Sequence, residues 1–127
     1  MNAEFMAARN RVLQKVEEHP ADARLLSTLG LIDAYLGRKQ EALSEAKRAV
    51  EMLPISKDAL DGPALVDNLA TVYAFTNELD LAFRALDVLI KIPRGVSYGE
   101  LKLDPAWDPL RSDSRFDKLL AELAPHE

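Results

Sequence analysis

The chain has 127 residues, no cysteine and only two histidines, His19 and His126. Without cysteine it can form no disulfide, no thiolate metal site and no cysteine nucleophile. The lack of disulfides fits a reducing compartment, so we expect a cytoplasmic location. Metal binding by either histidine would need further ligands close by, and neighbouring helical residues point about 100° apart. We therefore predict no metal site and no cofactor.

Signals for catalysis are also missing. The five glycines are scattered, so no phosphate-binding loop is present, and no serine lies in a G-x-S-x-G context. Carboxylate pairs such as Asp58 with Asp61 and Asp104 with Asp108 lie in turn-rich stretches, where aspartate caps helices more often than it catalyses. We expect a protein without enzymatic activity.

The remaining absences concern membranes and nucleic acid. No apolar run reaches 18 residues, which predicts no membrane span, and the charged N-terminal stretch does not resemble a secretory signal. The net charge of −5 argues against a nucleic-acid partner, because nucleic-acid binders usually carry a basic face.

What the chain does have is helical periodicity, clearest in residues 23–54, ARLLSTLGLIDAYLGRKQEALSEAKRAVEMLP. Apolar residues recur at three- and four-residue steps, which is the spacing of one helix face. Gly37 interrupts the pattern and Pro54 ends it, so the stretch predicts two helices joined by a tight turn. Small residues at the predicted contact, Gly30, Ala42 and Ala46, allow the two axes to approach closely.

This stretch also repeats. Pro54 follows Pro20 by 34 residues, and Ala42 follows Ala8 by the same interval. Downstream the interval becomes 40: Leu26, Leu29, Gly30, Ala42 and Ala46 recur as Val66, Leu69, Ala70, Ala82 and Leu86. The extra six residues fall in ISKDALDG, residues 55–62, whose role the sequence leaves open. A fixed period of this size is typical of stacked helix pairs.

The periodicity and the turn signals divide the chain, read as one domain over residues 1–127, into successive parts. The helices are expected at about 3–18, 23–36, 39–52, 63–76, 79–92, 97–101 and 114–123, with Asp22 and Asp113 as caps and left-handed turns at Gly37 and Asn77. The parts are a leading half repeat (3–18), repeat 1 (22–54), an insertion (55–62), repeat 2 (63–93) and a C-terminal cap (96–123). Trp107 is expected to fill the gap between repeat 2 and the cap helix.

A 34-residue helix pair with Leu-Gly early, alanine in the middle and proline at the end resembles the tetratricopeptide repeat. Residues 36–63 and 101–116 further resemble the C-terminal repeat segments of bacterial multidomain kinases, nucleotide cyclases and transcriptional regulators. The resemblance implies an all-α, right-handed helical-hairpin solenoid of about two full repeats with a leading half repeat and a capping helix. Three positions depart from the pattern. Asp33 and Ala46 stand where aromatic residues are usual, and Arg94, after Pro93, stands where a second proline would be expected.

In such a solenoid the first helix of each pair lines a concave groove. Helical phase assigns to that surface the residues turned away from Leu26, Leu29 and Gly30. The predicted peptide-binding groove consists of Arg24, Ser27, Thr28, Leu31, Tyr35, Asp67, Asn68, Thr71 and Phe75. Arg24 would hold a carboxylate and Asn68 a peptide backbone. The alternative is that Tyr35 and Phe75 belong to the core and that the polar residues are merely solvated.

Two functions remain open at this point. The first is a protein–protein interaction scaffold that binds a peptide or protein segment or associates with itself. A homodimer is suggested by Phe5 and Met6 on the unpaired face of the first helix and by the apolar residues around most of the helix expected at 79–92. The second is a structural or regulatory C-terminal module of a larger bacterial signalling enzyme or transcriptional regulator.

Overall fold

The computed structural model describes residues 2–58, 60–92 and 95–123, and within these ranges every regular element is a helix. The all-α prediction is therefore confirmed for this part of the chain. Seven α-helices and one 3₁₀ helix follow one another: α1 (Asn2–Glu18), α2 (Ala23–Tyr35), α3 (Lys39–Met52), α4 (Gly62–Phe75), α5 (Leu79–Leu89), α6 (Tyr98–Leu103), the 3₁₀ helix (Pro105–Leu110) and α7 (Ser114–Leu123).

Local signals in the sequence account for most helix ends. The Asp22 carboxylate accepts hydrogen bonds from the backbone N–H groups of Arg24 and Leu25 at 3.0 and 3.3 Å, which caps α2 as predicted. Gly37 and Asn77, in the turns after α2 and α4, have φ of +80° and +63°. Both predicted left-handed turns are confirmed, because glycine and asparagine tolerate this conformation best.

Other ends differ from the prediction. Asp61 precedes α4, but its side chain makes no capping hydrogen bond; it lies 3.7 Å from the guanidinium of Arg24. Helix α5 ends at Leu89, three residues earlier than expected. The segment around Trp107, which was expected to be a pair of turns, forms the 3₁₀ helix.

Helix α2 packs closely on α3. The backbone of α3 lies so near Gly30 that a Cβ atom added there would be 3.1 Å from the Ala46 nitrogen and 3.3 Å from the Ala42 carbonyl oxygen. Ala42 and Ala46 are themselves fully buried. The small residues therefore meet at the crossing, as their spacing predicted.

Each helix pair contacts the next. Helix α2 also packs on α1 and α4, while α4 packs on α3, α5 and the 3₁₀ helix. The main core follows this path and contains Val72 and Leu86 from the α4–α5 pair, both inaccessible to solvent. A smaller cluster of Ala23, Ala49 and Leu65 closes the other end of α2, α3 and α4.

The C-terminal part covers α5, which has apolar residues around most of its circumference. Phe83 and Leu86 of α5 share the core with Trp107, Phe116 and Leu119. Trp107 is only 1% exposed, so the prediction that its ring fills an internal gap is confirmed. Its indole N–H is buried and has no hydrogen-bond acceptor among the described residues.

No helix in the described ranges combines the length and the apolar character needed to cross a membrane. His126, Arg94 and Pro93, the predicted end of repeat 2, lie outside the described residues.

Candidate docking surface

Three aromatic rings from three helices form a continuous row on the surface. The ring centroids of Phe5 and Tyr35 are 5.7 Å apart, and those of Tyr35 and Phe75 are 4.9 Å apart with the planes at 77°. Both spacings are typical of favourable aromatic pairs. We refer to Phe5, Tyr35 and Phe75 as the aromatic row.

The aromatic row is open to solvent. Phe5 is 39% exposed, Tyr35 44% and Phe75 41%, so none of the three belongs to the core. This excludes the alternative in which Tyr35 and Phe75 are core residues. Tyr35 and Phe75 meet in a T-shaped arrangement, and Phe5 is tilted by 45° against Tyr35.

Helix geometry explains why these rings meet. Tyr35 and Phe75 are the last residues of α2 and α4, two helices that pack side by side, and each is followed by a left-handed turn. Phe5 reaches them because α1 packs on α2 with its N-terminal part near the C-terminal end of α2.

A buried ion pair holds α1 in this position. Asp33, two residues before the end of α2, is completely buried, and its Oδ1 accepts a hydrogen bond from Nε of Arg9 at 2.5 Å. Nε of Arg38 lies 4.0 Å from the same oxygen. Removing one partner of such a pair is costly because the remaining charge stays out of water. The pair therefore fixes α1, and with it Phe5, against α2.

The second carboxylate oxygen of Asp33 lies close to the carboxyl group of Glu45. Asp33 Oδ2 and Glu45 Oε1 are both buried and accept no hydrogen bond from a donor in the described ranges. Two ionised carboxylates cannot hydrogen-bond each other, but a protonated one can donate to the other. Burial, and then the hydrogen bond with Asp33, raise the pKa of Glu45 to about 8. With a pKa of about 8, the Glu45 carboxyl is mostly protonated at pH 7, and in that form it has a proton that it can donate to Asp33.

The polar residues of the predicted groove are divided between structure and surface. Ser27 is 1% exposed, and its Oγ accepts a hydrogen bond from Nδ2 of Asn68 at 2.9 Å, which joins α2 to α4. Thr71 is also buried and donates to the backbone carbonyl of Asp67. These side chains support the surface rather than offering free groups to a ligand.

The remaining predicted groove residues lie along the same side. Leu31 is half-buried one turn before Tyr35, and Thr28 is exposed while its hydroxyl donates to the carbonyl of Arg24. Arg24 lies eleven positions before Tyr35, or about 16 Å along the helix axis. It is highly exposed and is paired with Asp61, not with any residue of the aromatic row.

An acidic group lies on the same face of α4 as Phe75. Asp67 lies two turns before Phe75 on α4 and is half-buried. Burial, and then the charges of Glu100 and Asp104 at the two ends of α6, raise the pKa of Asp67 to about 6. Partial burial, and then the charge of Asp104, also raise the pKa of Tyr35. Asp104 therefore acts electrostatically on both α2 and α4.

Sequence reasoning missed two parts of this surface. Phe5 precedes Tyr35 by 30 residues, an interval that matches neither the 34- nor the 40-residue period. The repeat spacing therefore did not place Phe5 at a position equivalent to Tyr35 and Phe75. Glu100 and Asp104 lie in the C-terminal segment, which repeats nothing upstream. In the sequence, Asp104 stands out only as half of a carboxylate pair in a turn-rich stretch.

Among the described residues no cluster of three or more acidic or histidine side chains is arranged to hold a metal ion. Comparison of the chain with protein-family models gave no match, and comparisons with curated proteins and with solved structures gave none either.

Proposed function

We propose that this chain is a non-enzymatic interaction module, a helical-hairpin solenoid of the tetratricopeptide kind whose concave side binds a segment of another protein. The observation that carries the proposal is the aromatic row. Single exposed apolar side chains are common on protein surfaces, but contiguous ones usually mark an interaction site. Here three helices each contribute one exposed ring, and the rings touch.

The order of helix contacts supports the solenoid. In stacked helix pairs, each pair packs on the following one, and the first helices of successive pairs are neighbours. Helix α2 packs on α3 and on α4, and α4 packs on α5, as that arrangement requires. In this reading α2 and α4 line the concave side and carry Tyr35 and Phe75.

The dimensions favour a short extended segment as the ligand. From Arg24 to Tyr35 the surface of α2 measures about 16 Å, which about five residues of extended chain would span. Aromatic rings on rigid helices provide contact area at a low cost in side-chain entropy. The half-buried Leu31 continues the apolar surface beyond Tyr35.

The test is selection of random displayed peptides on the immobilised protein, followed by affinity measurement for the enriched peptides. Replacing both Tyr35 and Phe75 by alanine should abolish detectable binding of most of them. Both rings are highly exposed, so helix content by circular dichroism should remain that of the wild type.

Val88→Ala is a matched control, because Val88 is 47% exposed on α5 and lies outside the aromatic row. Peptides that bind the double variant as well as the control would contradict the proposal. Light scattering on the same samples identifies the other mode of interaction: a dimer that Tyr35→Ala and Phe75→Ala dissociate would mean that the row binds a second copy of this chain.

A further inference from the structure

We infer that the segment bound by the aromatic row is basic, with a lysine or arginine side chain next to its apolar anchor. This inference rests on the proposed function and adds the chemistry of the partner. It follows from three carboxylates, Asp67, Glu100 and Asp104, of which Asp67 lies on the same face of α4 as Phe75. The cations that follow Tyr35, Arg38 and Lys39, are paired with Glu41 and Glu78.

Three carboxylates lie on this side without a cation. Neither Asp67, Glu100 nor Asp104 has a lysine or arginine nitrogen of the described residues within 4.0 Å of its side chain. All ion pairs within the described ranges involve other carboxylates, such as Asp33, Asp61 and Asp80. The charges of Glu100 and Asp104 therefore act on Asp67 with no ion-paired cation to offset them.

The pKa of Asp67 shows the effect of these neighbouring charges. It is half-buried, and the neighbouring charges of Glu100 and Asp104 add to the effect of burial in raising its pKa to about 6. A cation that approached Asp67 would reverse this effect, because opposite charge stabilises the ionised form. A ligand with a positive side chain would thus relieve an unfavourable arrangement that exists in the free protein.

The nearby cations of the protein are engaged elsewhere. Arg111 donates through Nη1 and Nη2 to the backbone carbonyls of Lys102 and Asp104, and its Nε lies 2.7 Å from the carboxylate of Asp108. Nζ of Lys102 lies 5.5 Å from the centroid of the Tyr98 ring. Arg24 is paired with Asp61 far from Tyr35. A positive ligand group would therefore meet little competition at Asp67.

Charge complementarity decides between classes of partner. An acidic segment or a nucleic acid would be repelled by Asp67, Glu100 and Asp104, and the net charge of −5 would slow its approach. A basic, amphipathic segment complements both the aromatic row and the carboxylates, because its apolar side chain covers the rings and its cation lies near the carboxylates.

The peptide selection described above also tests this inference. We expect the peptides enriched by the wild type to contain more lysine and arginine than the unselected library, next to an aromatic or aliphatic residue. Enriched peptides that bind the aromatic row but are neutral or acidic would overturn the inference while leaving the proposed function intact. Failure to enrich any peptide would contradict the proposed function and this inference with it.

Substitutions test the same point by affinity. Asp67→Asn together with Asp104→Asn should lower the affinity for an enriched peptide about fivefold or more. This difference in affinity from the wild type should shrink at about 0.5 M salt. Asp117→Asn together with Glu122→Gln removes the same charge from exposed positions of α7 and should leave affinity nearly unchanged. Equal effects of the two double variants would overturn the inference.

The pH dependence of affinity gives an independent readout. Binding of a cation favours ionised Asp67, so affinity should rise from about pH 5 to about pH 7.5 and then level off. Glu100 of α6 and Asp104, which follows α6, act electrostatically on Asp67, and Asp104 also acts on Tyr35, but the rise should be strongly reduced in Asp67→Asn. If the affinity of the variant rose with pH by the same amount, Asp67 would not be part of the binding site.

Discussion

Asp33 has a charged side chain and is nevertheless completely buried. A buried carboxylate requires compensation, which Arg9 provides from α1 and Glu45 provides from α3. The sequence showed Asp33 to be unusual, but it could not show these partners, because they depend on how neighbouring helices are rotated about their axes.

The carboxyl pair predicts a pH-dependent stability. Glu45 has its pKa raised in the folded protein from an ordinary 4.5 to about 8, so the folded state binds more protons than the unfolded state between these values. The associated stability is complete below pH 4.5 and is lost as the pH rises through about 8. In Glu45→Gln a neutral amide donates to Asp33 at every pH, so this loss should disappear.

We expect Glu45→Gln to be more stable than the wild type at about pH 9, by an amount on the order of 1–2 kcal/mol after allowing for the partial exposure of the group. Urea unfolding at several pH values measures this. Glu51→Gln, an exposed position on the same helix, is the control and should follow the wild type. A Glu45→Gln curve parallel to that of the wild type would show that the two carboxyls do not share a proton.

At the scale of elements, the helix bounds were largely predictable, and the exceptions have local causes. Most predicted ends agree with the structure to within one or two residues, because proline, glycine and capping aspartate act over a few positions. The 3₁₀ helix was not foreseen, since Asp-Pro pairs signal turns and a 3₁₀ helix is a succession of turns. The early end of α5 at Leu89 has no comparable signal in the sequence.

The close crossing of α2 and α3 makes a prediction about Gly30. Replacing a helical glycine by alanine ordinarily stabilises by up to about 1 kcal/mol. At Gly30 the new Cβ would press on the backbone of α3, at Ala42 and Ala46, which can yield only if the helix moves. Overpacking of this kind costs about 1–3 kcal/mol. We therefore expect a net loss of about 1 kcal/mol for Gly30→Ala in denaturant unfolding.

Gly99→Ala is the matched control, because Gly99 is also helical and nothing lies within 4 Å of its added Cβ. It should leave the free energy of unfolding unchanged or slightly raised. If Gly30→Ala stabilised the protein as much as Gly99→Ala, the crossing would be looser than described.

At the scale of the whole molecule, the candidate surface was predictable in part. The 40-residue shift assigned Tyr35 and Phe75 to matching positions, and their rings do touch. Helical phase could not separate Ser27 and Thr71, which support the helix packing, from the exposed positions, because both kinds lie on adjacent faces. Phe5 and the acidic residues could not be placed, since their positions follow from how α1 and the C-terminal segment pack on the helix pairs.

The most direct test of the central claim is nuclear magnetic resonance mapping of the protein titrated with an enriched basic peptide. We predict that chemical shifts change mainly for Phe5, Tyr35, Phe75, Asp67 and Asp104, and that α7 remains unaffected. Changes confined to α5 and α7, or spread evenly over the chain, would contradict the assignment of the aromatic row as the docking surface.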